Sequence, residues 1–184
     1  YPFGISHDTK LLFMGSCFSE NIGNKLQEYR FKIVNNPFGI LYNPYSIVEN
    51  LEYIINNKRF DEKALFFYQN LYRSWSHHSM FAHADARMEL QHINDSIAKA
   101  HSLLQYPAVI LLTVGSAYAY QLSSTGNIVA NCHAYPNKEF QKILLNVEDI
   151  VNKLSAVIAK CPQHHFVFTI SPVRQHILSL QYTE

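Results

Sequence analysis

The sequence predicts a three-layer α/β domain built on a doubly wound, mainly parallel sheet. Three short, continuous apolar runs, at 11–14, 108–114 and 166–170, are bounded by turn or polar residues. Such runs are typical of strands that are buried on both faces of a parallel sheet. Segments with helical periodicity separate these runs, and strands that alternate with helices imply right-handed crossovers between parallel strands.

The remaining elements follow from spacing and turn signals. Apolar positions at helical spacing predict four helices, at 22–29, 47–55, 90–104 and 147–158. Asn146 is the expected N-cap of the last helix. A fourth candidate strand lies at 31–34. A β-hairpin added outside the parallel sheet is predicted at 118–130, where two short strands flank a Ser-Ser-Thr-Gly-Asn turn.

Composition limits the range of functions. Of the 184 residues, 48% are hydrophobic and 16% are charged, which is typical of one packed domain over residues 1–184. A formal net charge of +1 with interspersed signs argues against a nucleic acid or an anionic membrane as partner. The longest apolar run, at 108–114, is shorter than the roughly 20 residues that a transmembrane helix needs.

Cysteines and histidines do not predict a metal centre. The three cysteines are an odd number without paired spacing, which argues against a disulfide framework and a zinc site. Adjacent His77 and His78 would point apart in a strand, and no carboxylate pair lies near them. We therefore expect no metal and no cofactor, and the cysteine pattern favours a reducing, cytoplasmic compartment.

The turn after the first predicted strand carries the candidate nucleophiles. In an open α/β sheet, the functional crevice lies past the carboxyl ends of the strands. Ser16 occupies the strand-to-helix turn there, where unpaired amides and the helix dipole can stabilise a developing oxyanion. Cys17 has the same advantage and is a rival nucleophile. Purely structural roles stay open for both, as a helix cap for Ser16 and a small buried hydrophobe for Cys17.

Six ordered segments carry a family resemblance. They are Gly-Ser-Cys-Phe-Ser-Glu-Asn-Ile-Gly at 15–23, Asn-Pro-Phe-Gly-Ile-Leu-Tyr-Asn-Pro at 36–44, Ser-His-His-Ser at 76–79, Leu-Thr-Val-Gly-Ser-Ala at 112–117, Val-Ala-Asn-Cys-His at 129–133 and Ile-Ser-Pro-Val-Arg at 170–174. The first resembles the motif that names the bacterial GSCFA family, whose members are placed among the SGNH-type (GDSL-like) hydrolases. The resemblance covers residues 11–174 and implies a flavodoxin-like architecture of the SGNH-hydrolase type.

The resemblance implies roles for the matching residues. Ser16 would be the nucleophile, and the amides of Ser16 and Gly39 would form the oxyanion hole, with a simple turn as the alternative role of Gly39. Gly115-Ser116-Ala117 stands where SGNH enzymes usually carry Gly-x-Asn, so Ser116 or Asn131 would supply the third donor. His133 completes the candidate catalytic group and could instead order a loop. The candidate substrate-binding residues are Cys17, Phe38, His78, Gly115 and Arg174.

The carboxyl-terminal end departs from the family pattern. SGNH hydrolases supply a catalytic His, and usually an Asp, from an Asp-x-x-His block, but no Asp follows Asp149, and 175–184 no longer follows the pattern. His176, the one histidine of that tail, is a candidate replacement base. The domain is therefore expected to be incomplete at its C-terminus, to leave apolar sheet surface uncovered, and to form a homo-oligomer through that face.

The implied reaction is hydrolysis of a small-molecule ester, such as a carbohydrate-linked ester, through an acyl-enzyme at Ser16. Two alternatives stay open. The chain could be a catalytically incomplete binding or scaffold module of the same fold, which the missing Asp-x-x-His block favours. It could also use thiol chemistry at Cys17.

Overall fold

The computed structural model describes residues 3–170, which form nine β-strands and four α-helices. The strands are β1 (Lys10–Gly15), β2 (Lys32–Asn35), β3 (Leu65–Tyr68), β4 (Leu71–Ser74), β5 (Ala108–Val114), β6 (Tyr118–Leu122), β7 (Ile128–Val129), β8 (Phe140–Leu144) and β9 (His165–Ile170). The helices are α1 (Cys17–Glu28), α2 (Pro44–Ile55), α3 (Ala86–Leu103) and α4 (Val147–Ala159). None of these four helices combines the length and the hydropathy needed to cross a membrane.

A four-stranded parallel sheet in the order β2-β1-β5-β9 forms the centre of the fold. Its register places Leu12 of β1 between Val34 of β2 and Ile110 of β5, and Ile110 pairs in turn with Phe166 of β9. The predicted α/β class with a mainly parallel sheet is therefore confirmed.

Helices cover both faces of this sheet. On one face, Leu11 and Phe13 of β1 belong to a cluster that packs with Leu26 of α1. The larger core on the opposite face joins buried apolar residues of β1, β5, α2 and α3: Leu12, Met14, Ile110, Leu112, Ile47, Leu51, Ile93 and Ile97. Alternate residues of β1 thus enter different cores, as the two-residue period of a strand requires. The arrangement has three layers, with the sheet in the middle.

Each α-helix begins at a side chain that caps it. Ser16, Asn43, Asp85 and Asn146 each accept a hydrogen bond from a backbone amide in the first turn. Such caps satisfy amides that have no partner within the helix. The predicted N-cap Asn146 is confirmed, because its Oδ1 lies 2.7 Å from the Glu148 amide and 3.3 Å from the Asp149 amide.

The last strand of the sheet differs from its prediction. A strand is present, but among residues 3–170 β9 is the outermost strand on its side of the sheet, and Phe168 and Ile170 are 44% and 83% exposed. The expectation of burial on both faces is wrong, because an apolar run does not show whether other elements cover it. The neighbouring α4 is also poorly covered, since Val157 is its one buried residue.

Two antiparallel sheets lie outside the central one. The predicted hairpin is confirmed as β6 and β7, and β8 pairs with the other side of β6 to give the order β7-β6-β8. Strand β8 and the hairpin of β3 and β4 were not predicted from the sequence. The β3–β4 turn consists of Gln69 and Asn70, whose φ values of +49° and +60° suit a two-residue hairpin turn.

Candidate functional site

Three loops meet at the carboxyl end of the central sheet. The Leu41 amide donates to the Gly15 carbonyl over 2.8 Å, which joins the loop after β2 to the end of β1. The Tyr42 carbonyl accepts hydrogen bonds from the Gly115 and Ser116 amides, each at 3.0 Å, which joins the same loop to the segment after β5. This crevice is where open α/β sheets bind their ligands.

Ser16 lies in this crevice between β1 and α1 and is fully buried. Its Oγ accepts a hydrogen bond from the Phe18 amide at 3.3 Å, so Ser16 is the N-cap of α1. An N-cap hydroxyl accepts this hydrogen bond while keeping its own proton. The capping role is therefore compatible with a nucleophilic one.

The backbone next to Ser16 is tightly constrained. Gly15 has a φ of +134°, and a Cβ at this position would collide with the Thr113 carbonyl oxygen. Only glycine fits such a conformation and such a close approach. The same carbonyl oxygen accepts a hydrogen bond from the Ser16 amide at 3.2 Å.

A chain of hydroxyl groups links α1, β5 and β9 at this end of the sheet. Ser19 Oγ donates to Thr113 Oγ1 at 2.5 Å, and Thr113 Oγ1 lies 2.7 Å from Thr169 Oγ1. Ser19 and Thr113 are fully buried. Buried hydroxyls are stable only when they are hydrogen-bonded, so this chain fixes the positions of all three elements around the crevice.

The structure does not provide the predicted oxyanion hole. The Ser16 amide donates to the Thr113 carbonyl, and the Gly39 amide donates to the Asn36 carbonyl at 2.7 Å. A backbone amide has one hydrogen to donate, so neither group is available to a substrate. Gly39 has the alternative turn role, because its φ is +76° and a Cβ would collide with His78 Cβ.

A cavity of about 480 Å³ opens beside Gly115. Gly115 lies beside Ser16, because a Cβ built on Gly115 would be 3.5 Å from Ser16 Cβ. The wall is aromatic and polar, and it includes Tyr42, Ser116, Tyr118, Tyr120, Asn131 and Lys142. Its volume suits a small organic ligand. The structure thus brings Gly115, Ser116 and Asn131 together in one cavity, and Gly115 is the member that lies beside Ser16.

Asn131 and His133 have different positions. Asn131 lines the cavity, and its Oδ1 accepts a hydrogen bond from the His133 amide at 2.7 Å, which leaves Nδ2 as the group it can offer to a ligand. His133 is buried, and its Nε2 donates to the Ser74 carbonyl oxygen at 2.8 Å. His133 therefore orders the loop that carries Asn131, and it does not occupy the catalytic position expected from the sequence.

Two of the predicted substrate-binding residues do not face the cavity. Phe38 is fully buried and stacks on His77, with ring centroids 4.5 Å apart. It is a core residue and cannot contact a substrate. His78 packs against Gly39, and its Nδ1 accepts a hydrogen bond from the Met80 amide at 3.3 Å, so it orders a loop.

Of the other three predicted binding residues, Gly115 lines the cavity, which leaves Cys17 and Arg174. Cys17 is exposed at the first position of α1, so its alternative role as a small buried hydrophobe is wrong. Burial, together with the electrostatic effect of the nearby Cys17, raises the pKa of the cavity residue Tyr42. Arg174 and the candidate base His176 lie outside the described residues.

Three buried ionisable side chains, His77, His133 and Glu89, lie close to β4. His77 Nδ1 lies 2.9 Å from Ser74 Oγ. Burial lowers the pKa of His77 to about 3 and that of His133 to about 4, so both rings are neutral at pH 7. Burial raises the pKa of Glu89 to about 7, against the opposing effect of Arg73. Within residues 3–170, no group of three or more His, Cys, Asp or Glu side chains is arranged to hold a metal ion.

Two structurally important residues were not identified from the sequence. The Thr113 carbonyl accepts a hydrogen bond from the Ser16 amide, and its hydroxyl belongs to the hydroxyl chain. Asn36 Oδ1 accepts a hydrogen bond from the Gly15 amide at 2.9 Å. A signal existed for both. Thr113 is a polar residue within an otherwise apolar strand, and Asn36 directly follows a strand and precedes a proline.

Together, the fold and the crevice define an α/β protein with a ligand-sized cavity at the carboxyl end of a parallel sheet, beside a buried helix-capping serine. The model of the GSCFA family matches residues 10–182, and the chain belongs to this family. The match confirms the family resemblance and extends past residue 174, where the sequence pattern was expected to end. No curated protein and no solved structure gives a significant match.

Proposed function

We propose that the chain is an ester hydrolase of the SGNH type with Ser16 as its nucleophile. One observation carries this proposal: Ser16 caps α1 at the carboxyl end of β1, beside Gly115, which lines the cavity. The amino terminus of a helix favours the negative charge that develops on an ester oxygen during attack. The position therefore suits acyl transfer.

The reaction would proceed through an acyl-enzyme. Ser16 Oγ attacks the ester carbonyl carbon while its proton passes to a base, the alcohol leaves as the ester C–O bond breaks, and water then hydrolyses the acyl group. Because the Ser16 and Gly39 amides are occupied, we assign oxyanion stabilisation to Asn131 Nδ2, with Ser116 as the other cavity-lining candidate. Loss of one such donor commonly lowers kcat by about 10²- to 10³-fold.

The proposed general base lies outside residues 3–170. Within that range, no histidine is hydrogen-bonded to Ser16, and the buried His77 and His133 are held by Ser74. A serine hydroxyl needs a base because its pKa lies far above 7. We assign this role to His176, the one histidine of the 171–184 segment.

The cavity wall favours a small ester with a ring-shaped portion. Tyr42, Tyr118 and Tyr120 line the cavity with exposed side chains. Each offers an apolar ring face and a hydroxyl group that can form hydrogen bonds. A sugar or another hydroxylated ring would use both kinds of contact.

A fluorophosphonate probe tests the proposal. We expect the wild-type protein to be labelled at Ser16, as located by mass spectrometry of the labelled peptide. Labelling should be absent from Ser16→Ala and retained in the neighbouring control Cys17→Ser, with circular dichroism to show that both variants are folded. Folded wild-type protein that takes no label, or label that persists in Ser16→Ala, would exclude Ser16 chemistry. Loss of label in folded His176→Ala would support His176 as the base.

A catalytically incomplete binding module is the second candidate. The full burial of Ser16 and the engagement of both predicted oxyanion amides favour it. A folded protein that takes no fluorophosphonate but binds small esters, as followed by tyrosine fluorescence, would support this candidate.

Thiol chemistry is the third candidate, and the exposure of Cys17 at the start of α1 favours it. It predicts rapid alkylation of Cys17 by iodoacetamide at neutral pH, since the thiolate is the reactive form. Alkylation no faster than that of a free thiol of ordinary pKa would exclude it.

A further inference from the structure

We propose that Asn36 is the positioning residue for Ser16 and that it acts through Gly15 and through Glu20 of α1. The inference rests on the proposed function in taking Ser16 as the reactive group. Asn36 is buried and directly follows β2, so it lies at the same carboxyl end of the sheet as Ser16. It is one of the connections between the ends of β1, β2 and α1.

Asn36 forms four hydrogen bonds in the crevice. Its backbone amide donates to the Phe13 carbonyl at 2.8 Å, and its carbonyl accepts from the Gly39 amide at 2.7 Å. In the side chain, Oδ1 accepts from the Gly15 amide at 2.9 Å, and Nδ2 donates to Glu20 Oε2 at 2.7 Å. Both ends of this side chain are therefore engaged by different elements.

The two partners of the side chain require opposite chemistry. The Gly15 amide can only donate, so it needs an oxygen, whereas the Glu20 carboxylate can only accept, so it needs an N–H group. An asparagine meets both needs, while an aspartate would place an acceptor against the carboxylate. The φ of Asn36 is +42°, in the left-handed region that Asn tolerates better than most residues.

These contacts hold the chain on both sides of Ser16. Gly15 precedes Ser16, and Glu20 lies one turn into the helix that Ser16 caps, with its amide donating to the Ser16 carbonyl at 3.3 Å. Without the side chain of Asn36, the turn loses two of the hydrogen bonds that hold it in place relative to Gly115 and the cavity. A displacement of about 1 Å can lower a reaction rate by about 10²-fold. Asn36 would touch no substrate in this role.

Reversing the direction of the Asn36–Glu20 hydrogen bond tests the inference. Asn36→Asp keeps an acceptor for Gly15 but opposes the Glu20 carboxylate, whereas Glu20→Gln alone keeps an acceptor oxygen for Asn36. In the double variant, the new glutamine amide can donate to the new aspartate carboxylate, which restores the bond in the opposite direction. Asn57→Asp is the matched control, because Asn57 is exposed, has a φ of +47° and undergoes the same charge change.

Two measurements are compared under conditions in which the variants are folded: hydrogen exchange of the Gly15 amide by NMR, and the rate of fluorophosphonate labelling at Ser16. We expect Asn36→Asp to change each rate by at least about tenfold, with faster exchange and slower labelling, because repulsion from the Glu20 carboxylate replaces a hydrogen bond and displaces the acceptor from the Gly15 amide. The double variant should recover most of both rates. Glu20→Gln and Asn57→Asp should stay close to the wild type.

Unchanged Gly15 exchange in Asn36→Asp, or no recovery in the double variant, would overturn the role of Asn36. A comparable change in Asn57→Asp would do the same, since it would reveal a general effect of charge. If Asn36→Asp does not fold, Glu20→Ala replaces it, with faster Gly15 exchange expected than in Glu20→Gln and equal exchange overturning the inference. A wild-type protein that takes no label while its exchange follows the expected pattern would contradict Ser16 chemistry and support the positioning contact.

Discussion

The carboxyl end of the central sheet and its β9 edge differ in which side chains are buried and which are exposed. At the carboxyl end, the polar residues Ser16, Asn36 and Thr113 are buried and hydrogen-bonded. At the edge, the apolar residues Phe168 and Ile170 are exposed. Burial of polar groups costs free energy unless every group is paired. The carboxyl end therefore depends on its hydrogen bonds, because loss of one partner would leave a buried polar group unpaired.

The two regions share a boundary. A second cavity of about 480 Å³ lies at the edge, where Ile150 and Leu154 of α4 face Phe168 and Ile170 of β9. Its wall also includes Gly115 and Ser116, which line the first cavity. The loop after β5 therefore separates a polar crevice from an apolar one. The following substitutions test whether changes at the carboxyl end lower the free energy of unfolding more than changes at the β9 edge.

The largest effect is expected for Gly15→Ala at the carboxyl end. The new methyl group would collide with the Thr113 carbonyl oxygen, in a backbone conformation that L residues rarely adopt. We expect a loss of at least about 3 kcal/mol in the free energy of unfolding, measured by urea denaturation. Gly126→Ala is the matched control, because Gly126 also has a positive φ, of +74°, but its nearest neighbouring atom lies at 3.8 Å. It should lose only about 1 kcal/mol, and equal losses would contradict the close packing around Gly15.

A smaller loss is expected for Thr113→Val, which removes the central hydroxyl of the chain. Valine nearly preserves the shape, but Ser19 Oγ and Thr169 Oγ1 lose their shared partner. We expect a loss of about 2 kcal/mol, because hydroxyls within the protein are left without this hydrogen bond. Thr125→Val in the exposed turn of the β6–β7 hairpin should change stability by no more than about 0.5 kcal/mol. Similar values for both variants would show that the hydroxyl chain does not stabilise the carboxyl end.

The buried histidines should make stability depend on pH. The pKa is about 3 for His77 and about 4 for His133 in the folded state, against about 6.5 in the unfolded chain. The folded state therefore binds fewer protons. Its stability from these neutral rings is complete above pH 6.5 and is lost as the pH falls towards the folded values. Glu89 acts in the opposite sense, because its raised pKa of about 7 lets the folded state bind more protons than the unfolded chain.

His77→Phe isolates one of these contributions. A phenylalanine can occupy the same space, since the His77 ring already packs against Phe38, Phe60 and Phe81. Between pH 6.5 and 5.5, the variant should lose about 1 kcal/mol less unfolding free energy than the wild type. Urea denaturation at each pH measures the difference. Parallel pH curves for the two proteins would contradict a strongly lowered His77 pKa.

The fold class was predictable because continuous apolar runs at β1 and β5 indicate buried parallel strands whatever their partners. The exposure of β9 was not predictable from its own sequence, since the elements that would cover a strand lie elsewhere in the chain. The β3–β4 hairpin was missed because its Gln69-Asn70 turn lacks the glycine that usually marks such turns.

The candidate site was predictable only in part. The place of Ser16 follows from the order of a strand, a small-residue turn and a helix. The hydrogen bond of its amide could not be predicted in this way, because the Thr113 carbonyl that accepts this bond comes from a strand about a hundred residues away. Sequence shows which residues can donate or accept, whereas tertiary structure decides which of them are already engaged.

The smallest effect on stability is expected at the edge. Ile170 is 83% exposed, so Ile170→Ser should change the free energy of unfolding by no more than about 0.5 kcal/mol. Ile110→Val provides the contrast, because Ile110 is fully buried on the adjacent β5 and the loss of one methylene should remove about 1 kcal/mol. Urea denaturation of both variants at the same protein concentration measures the difference.

The same edge substitution also tests the predicted self-association. A second copy that covers Phe168 and Ile170 would remove these side chains from water, so Ile170→Ser should shift the mass measured by light scattering towards that of one chain. We expect oligomers of the wild type at low micromolar concentration and fewer of the variant. If both proteins are monomers and Ile170→Ser leaves stability unchanged, the edge is exposed in solution and the self-association prediction is wrong. If the variant is a monomer that loses more than about 1 kcal/mol, Ile170 is covered within its own chain, and the contrast between the edge and the carboxyl end does not hold.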